Sequence, residues 1–140
     1  MNFLKQINGK AIIIGILLEL CSYAVVFVGT MLTLAFYASR LSPSTGDHTT
    51  EIYVATAAGI IVSAVLYLFV GFMVGHVSRA HEILNASLVA AIFVAYPLIK
   101  YNSALHSLDF VTVIEIPICH ILGGYLAQRQ RLAVGVNGET

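Results

Sequence analysis

Residues 52–75 read IYVATAAGIIVSAVLYLFVGFMVG, twenty-four positions without one formal charge. At about 1.5 Å of rise per residue this helix would extend about 36 Å, more than the roughly 30 Å hydrocarbon layer of a bilayer. Three further apolar stretches flank it, at 11–38, 83–99 and 110–127. The first exceeds a single crossing and implies tilt or extension past the lipid, while the third is near the lower limit of about 17 residues. Of 140 residues 59% are hydrophobic and 10% charged, against roughly 25% charged in a soluble domain. The expectation is an all-α membrane protein, a single integral domain of four transmembrane helices in an antiparallel bundle. Little chain remains for a separate soluble domain.

Lys5 and Lys10 precede the first apolar run, as in a cleaved leader, but that run far exceeds the roughly 7–15 apolar residues of a signal sequence. It reads as a retained first span. With four spans, Lys5, Lys10, Arg79, Arg129 and Arg131 share one side, and Arg40 and Lys100 fall on the other. The positive-inside bias then predicts an inner-membrane protein with both termini and the 76–82 turn in the cytoplasm. Tyr37, Tyr53, Tyr96 and Tyr101 gather at the opposite boundary, where amphipathic rings favour the interface. Net charge is zero and no basic run points to nucleic acid. Cys21 and Cys119 both fall inside spans, which predicts buried free thiols rather than a disulfide framework.

Loop signals crowd residues 39–51, where Pro43, Ser44, Thr45, Gly46 and Asp47 follow one another. The other two connections are short, so consecutive helices should pack as antiparallel neighbours. Residues 134–140, with Gly135, Asn137 and Gly138, are too polar and glycine-rich to predict order.

Small residues recur every four positions: Ala55, Gly59 and Ser63, then Gly71 and Gly75, in the second span; Glu115, Cys119, Gly123 and Ala127 in the fourth; Ser87, Ala91 and Ala95 in the third. In lipid such stripes allow close backbone approach. Gly59, Gly71, Gly75, Gly123 and Gly124 are therefore candidate packing positions, within the bundle or against a homo-oligomer or membrane-protein partner. The second and fourth spans also end alike, with glycine, an aromatic and an aliphatic residue before an arginine. That is a faint parallel repeat.

Polar residues inside the spans are the candidate site. A charged side chain at mid-membrane costs on the order of 2.5–3.5 kcal/mol even on the gentler insertion scale. Counting from the cytoplasmic ends, Glu19, Tyr67 and His120 come to about 10–12 Å depth, and Tyr23, Ser63 and Glu115 to about 18 Å. Glu19 and Tyr23 share a helix face, as do Ser63 and Tyr67. Glu115 and His120 are about 140° apart on a straight helix, and Pro117 between them is a candidate kink that frees the Val113 carbonyl. The cluster supports two readings: polar glue between helices, or a proton- or cation-binding site that uses the perturbable glutamates and a histidine. No paired-histidine or Cys-x-x-Cys spacing predicts a metal, and no cofactor or catalytic motif is found. His48, His76, His81 and His106 fall in loops or at helix ends.

Four short spans with Leu17-Leu18-Glu19-Leu20 in the first resemble the small multidrug resistance exporters. That resemblance implies a first-helix glutamate, here Glu19, that binds both protons and cationic compounds. Gly71-Phe72 and Gly123-Gly124-Tyr125, trailed by Arg79 and Arg129, look like uncharacterised four-span bacterial membrane proteins. That second likeness implies the layout and no activity. The functional expectation is a non-enzymatic inner-membrane protein that packs helices or associates with a partner; the alternative is a small proton- or cation-coupled transporter working through Glu19.

Overall fold

Asn8 starts the first helix by the usual chemistry of an N-cap: its Oδ1 accepts a hydrogen bond from the Ala11 amide at 3.2 Å. The computed structural model describes residues 6–40, 49–101 and 107–136. Within them the chain forms four helices, α1 (Gly9–Arg40), α2 (Thr49–Ser78), α3 (Glu82–Tyr101) and α4 (Ser107–Val136), and no strand. Each of the four apolar stretches is a helix, extended beyond its sequence-based bounds because a formed helix gains one hydrogen bond per added residue. α3 includes Pro97 and continues to Tyr101.

α4 does not stop near residue 127 but runs on to Val136, which makes residues 134–136 helical where no order was expected; residues 137–140 lie outside the described residues. Arg131 on this extension reaches back to Glu82, with Nη1 2.8 Å from Oε1. Most of the 39–51 loop, and His48 and His106, also lie outside the described residues, as do the side chains of Tyr37, Tyr96 and Tyr101.

Among the described residues two helices carry stretches long and apolar enough to cross a membrane, Gly9–Thr33 and Tyr53–Ser78. In α3 the apolar stretch Glu82–Ala95 is shorter. α4, which carries Glu115 and Pro117 in its middle and Arg129 and Arg131 near its end, is not among these stretches. The helices alternate in direction. α2 has its most extensive contact with α4, α3 packs on α4, and α1 leans on α2 and more lightly on α3. Among the described residues α1 and α4 do not touch through their backbones, so they face each other diagonally.

α2 and α4 run parallel at backbone contact. A Cβ placed on Gly71 would lie 2.5 Å from the His120 carbonyl oxygen and 2.6 Å from its Cα. One on Gly123 would collide with the α2 backbone at Leu68, Gly71 and Phe72. Ser63 meets Glu115, Gly71 meets Gly123 and Gly75 meets Ala127, a constant step of 52 residues. The faint likeness between the two helix ends is thus an in-register parallel pair.

Gly75 and Gly124 pack as their spacing suggests, Gly75 against Ala127 and Gly124 against Ala86 and Ile83. Gly59 does not pack within the chain: it is exposed, and nothing lies within 4 Å of an added Cβ. α3 is also rotated from the expected stripe. Ala91 and Ala95 are exposed and Ser87 bonds its own Ile83 carbonyl, while Ala86, Val89 and Ala90 form the buried face.

Burial is uneven along the bundle. In the half that holds the start of α1 and the 79–81 turn, Ala11, Val70, Val74, Ala86 and Val89 make a closed apolar core. In the other half α1 and α2 stand apart. Residues 27–33 of α1 and 56–62 of α2 are all exposed, and seven residues make two turns, so every face of each helix is open there.

Candidate functional site

Where the closed half ends, four helices bring polar side chains together. Glu19 of α1 and His120 of α4 are both fully buried, with Oε2 3.4 Å from Nε2 across the diagonal of the bundle. Neither carboxyl oxygen of Glu19 has a hydrogen bond, so the contact is a close approach of two ionisable groups without hydrogen-bond alignment. The other ring nitrogen, Nδ1, lies 2.9 Å from the Ile116 carbonyl oxygen. A carbonyl can only accept, so Nδ1 carries a hydrogen, and Nε2 is left facing the carboxylate.

This assignment limits the proton content of the pair. With one proton on the Nε2–Oε2 axis the pair is neutral overall, either as imidazole with carboxylic acid or as imidazolium with carboxylate. With none, a buried carboxylate confronts a nitrogen lone pair; with two, a buried cation has no counter-charge. Both alternatives are costly in a low-dielectric interior.

Tyr67 of α2 covers the site. Its ring centroid is 6.2 Å from that of His120 and 6.2 Å from that of Tyr23. Tyr23, one turn above Glu19 on α1, also lies against Phe93 of α3 at 5.8 Å. Tyr67 is within electrostatic reach of both Glu19 and Glu115, and shares a polar contact with Tyr23.

Glu115 lies apart from the pair. α4 runs as one helix through Pro117, and Glu115 and His120 keep different faces. His120 turns to the interior, while Glu115, half-buried, accepts a hydrogen bond from Ser63 Oγ at 2.7 Å. Ser63 Oγ also lies 2.9 Å from the Ile60 carbonyl oxygen. The structure therefore divides the expected cluster in two: Glu19, His120, Tyr67 and Tyr23 at the centre, and Ser63 with Glu115 above it. The cysteines also differ from expectation: Cys21 is exposed, because it lies on the face of α1 turned away from the bundle, and Cys119 is half-buried.

A second polar network, missed in the sequence, closes the terminal end. Asn85 of α3 is fully buried; its Oδ1 accepts the Asn8 amide at 2.9 Å, and its Nδ2 donates to the His81 and Ala80 carbonyls at 3.0 and 3.3 Å. Asn8 Nδ2 donates to the Ser78 carbonyl at the end of α2 at 3.3 Å. Two residues of the turn, Arg79 (φ 54°) and His81 (φ 53°), adopt the left-handed conformation that non-glycine residues rarely take. Asn85 holds the carbonyls of this strained turn. An asparagine directly before an apolar run was the available signal for Asn8; nothing in the sequence marked Asn85 as its partner. His76 and His81 are exposed, as expected for residues at helix ends. No group of three potential metal ligands occurs among the described residues.

Among the described residues the fold is all-helical, with four helices, two of them long and apolar enough to cross a membrane, and a buried acid–base pair between the helices. Comparison with family models, curated proteins and solved structures finds no match.

Proposed function

We propose that this chain is a four-span inner-membrane protein with both termini in the cytoplasm, and that Glu19–His120 is its intramembrane proton site, the working centre of a small proton- or cation-coupled transporter. Four spans are supported by register. If α2 crosses the bilayer, α4, parallel to it and in step from Ser63–Glu115 to Gly75–Ala127, occupies the same depth. α3 has 20 residues, about 30 Å, and packs on both. α4 tolerates its polar residues because Glu115 and His120 face protein rather than lipid.

The observation that carries the proton reading is the 3.4 Å approach of two fully buried ionisable groups, neither of which has another hydrogen-bond partner at the facing atoms. The packing or partner-associating reading draws on the glycine contacts between α2 and α4, and treats the same pair as glue. The test is infrared spectroscopy of the reconstituted protein. The proton reading expects a carboxyl band that responds to pH and disappears in Glu19→Gln, with pH-driven ion uptake by proteoliposomes lost in the same variant. A folded wild type without a pH-responsive carboxyl band would leave glue as the role of the pair.

A further inference from the structure

Three buried acceptor atoms meet between α1 and α4. Glu19 Oε1 and Oε2 and His120 Nε2 have no hydrogen-bond partner, and both residues are fully buried. The Ile116 carbonyl takes the Nδ1 hydrogen, which leaves Nε2 of the neutral ring with a lone pair. A carboxylate and such a nitrogen can only accept. Buried acceptors are ordinarily satisfied, so a group made of acceptors alone calls for a cation.

Distance separates the cations that fit. A proton shared directly by a nitrogen and a carboxylate oxygen draws the two atoms to about 2.7–2.9 Å. Nε2 and Oε2 are 3.4 Å apart. A metal ion about 2.05 Å from the nitrogen and about 2.1 Å from the oxygen, at the tetrahedral angle, spans about 3.4 Å. The contact of Nδ1 with a backbone carbonyl is also the one that fixes tautomer and ring orientation in metal-binding histidines. Imidazole favours zinc and its first-row neighbours, whereas magnesium and calcium take oxygen ligands. One carboxylate does not balance a doubly charged ion. Glu115 supplies the second negative charge nearby: it accepts the Ser63 hydroxyl as a carboxylate does, and Tyr67 is within electrostatic reach of both glutamates.

We propose that Glu19 and His120 bind a divalent first-row transition-metal ion, represented by Zn²⁺, at the centre of the bundle. This rests on the transporter reading of the pair and deepens it by naming the coupled cation. The ion uses the Nε2 lone pair and the carboxylate that a proton would use, so the pair holds one or the other. No third His, Cys, Asp or Glu is grouped with them among the described residues. Two protein residues are fewer than the four ligands of a structural zinc, so the ion is held weakly enough to exchange, as a transported ion is.

Co²⁺ binding to the untagged protein in detergent tests the site, because the visible absorption of this ion reports its ligands. One Co²⁺ per chain is expected, displaced by Zn²⁺ and unaffected by excess Mg²⁺. Glu19→Gln and His120→Gln should each weaken binding at least about tenfold. Glu115→Gln, which removes charge but no ligand, should weaken it less. His76→Ala with His81→Ala, both at exposed positions, should leave it unchanged. X-ray absorption of the Zn²⁺-loaded wild type makes the test independent of how the variants fold: one imidazole and oxygen donors at about 2.0–2.2 Å are expected. Binding that survives both Glu19→Gln and His120→Gln, or that is lost with His76 and His81, would put the ion on the surface and overturn the proposal. A wild type that binds no Co²⁺ but keeps the pH-responsive carboxyl band would overturn it too, and leave the proton site standing. Absence of both would remove the reading of the pair altogether.

Discussion

Glu19 and His120 show how a pair of residues can be costly singly and tolerable together. Removing one partner leaves an uncompensated buried group, worth about 3–5 kcal/mol, whereas replacing both by apolar residues of similar size is often neutral or better. His120→Phe alone should therefore destabilise the protein by about that amount, and adding Glu19→Leu should recover most of the loss. Reversible unfolding in bicelles, arranged as a double-mutant cycle, measures the coupling. Asn85 makes a different case, because it serves several backbone groups that have no substitute. Asn85→Ala should cost about 1–3 kcal/mol and loosen the 79–81 turn, which limited proteolysis near Arg79 would detect.

At the scale of helices, the α2–α4 seam depends on the absence of side chains at Gly71 and Gly123. A methyl group at position 71 meets the backbone of His120, which cannot rotate away as a side chain could. Gly71→Ala should destabilise by about 1–3 kcal/mol, because the His120 backbone has to move away. Gly59→Ala is the matched control. No atom lies near its Cβ, so it should be neutral or stabilise by up to about 1 kcal/mol through helix propensity. Equal losses at both positions would contradict the seam.

For the whole molecule, the parallel register of α2 and α4 puts the last turns of α4 at the same end of the bundle as the 76–82 turn. Reporter fusions at residue 80 and at the C-terminus should give the same topology signal, and fusions within 41–48 the opposite one. Opposite signals from the first two would remove the four-span arrangement, since α4 could not then run alongside α2. The uneven packing also has an expected consequence: amide exchange should be slowest in 66–75 and 119–127, and faster in 27–33 and 56–62, where every side chain is exposed.

Helix number, helix order and the depth of each polar residue were determined by the sequence alone. They depend on quantities counted along one chain: the length of an apolar run, the positions of breaks such as 43–47, and a rise of about 1.5 Å per residue. That count placed Glu19, Tyr67 and His120 at one level, and the structure brings those three together. Rotation about each helix axis was decided only by the tertiary structure. An error of one residue turns a side chain by about 100°, enough to move the buried face of α3 from Ser87 and Ala91 to Ala86 and Ala90. The same limit hid the outward position of Cys21 and the meeting of Asn8 with Asn85, whereas the 140° between Glu115 and His120 could be counted and Pro117 did not remove it. Depth is a property of a single helix, but facing is settled between helices, where the glycines of α2 and α4 allow one close fit.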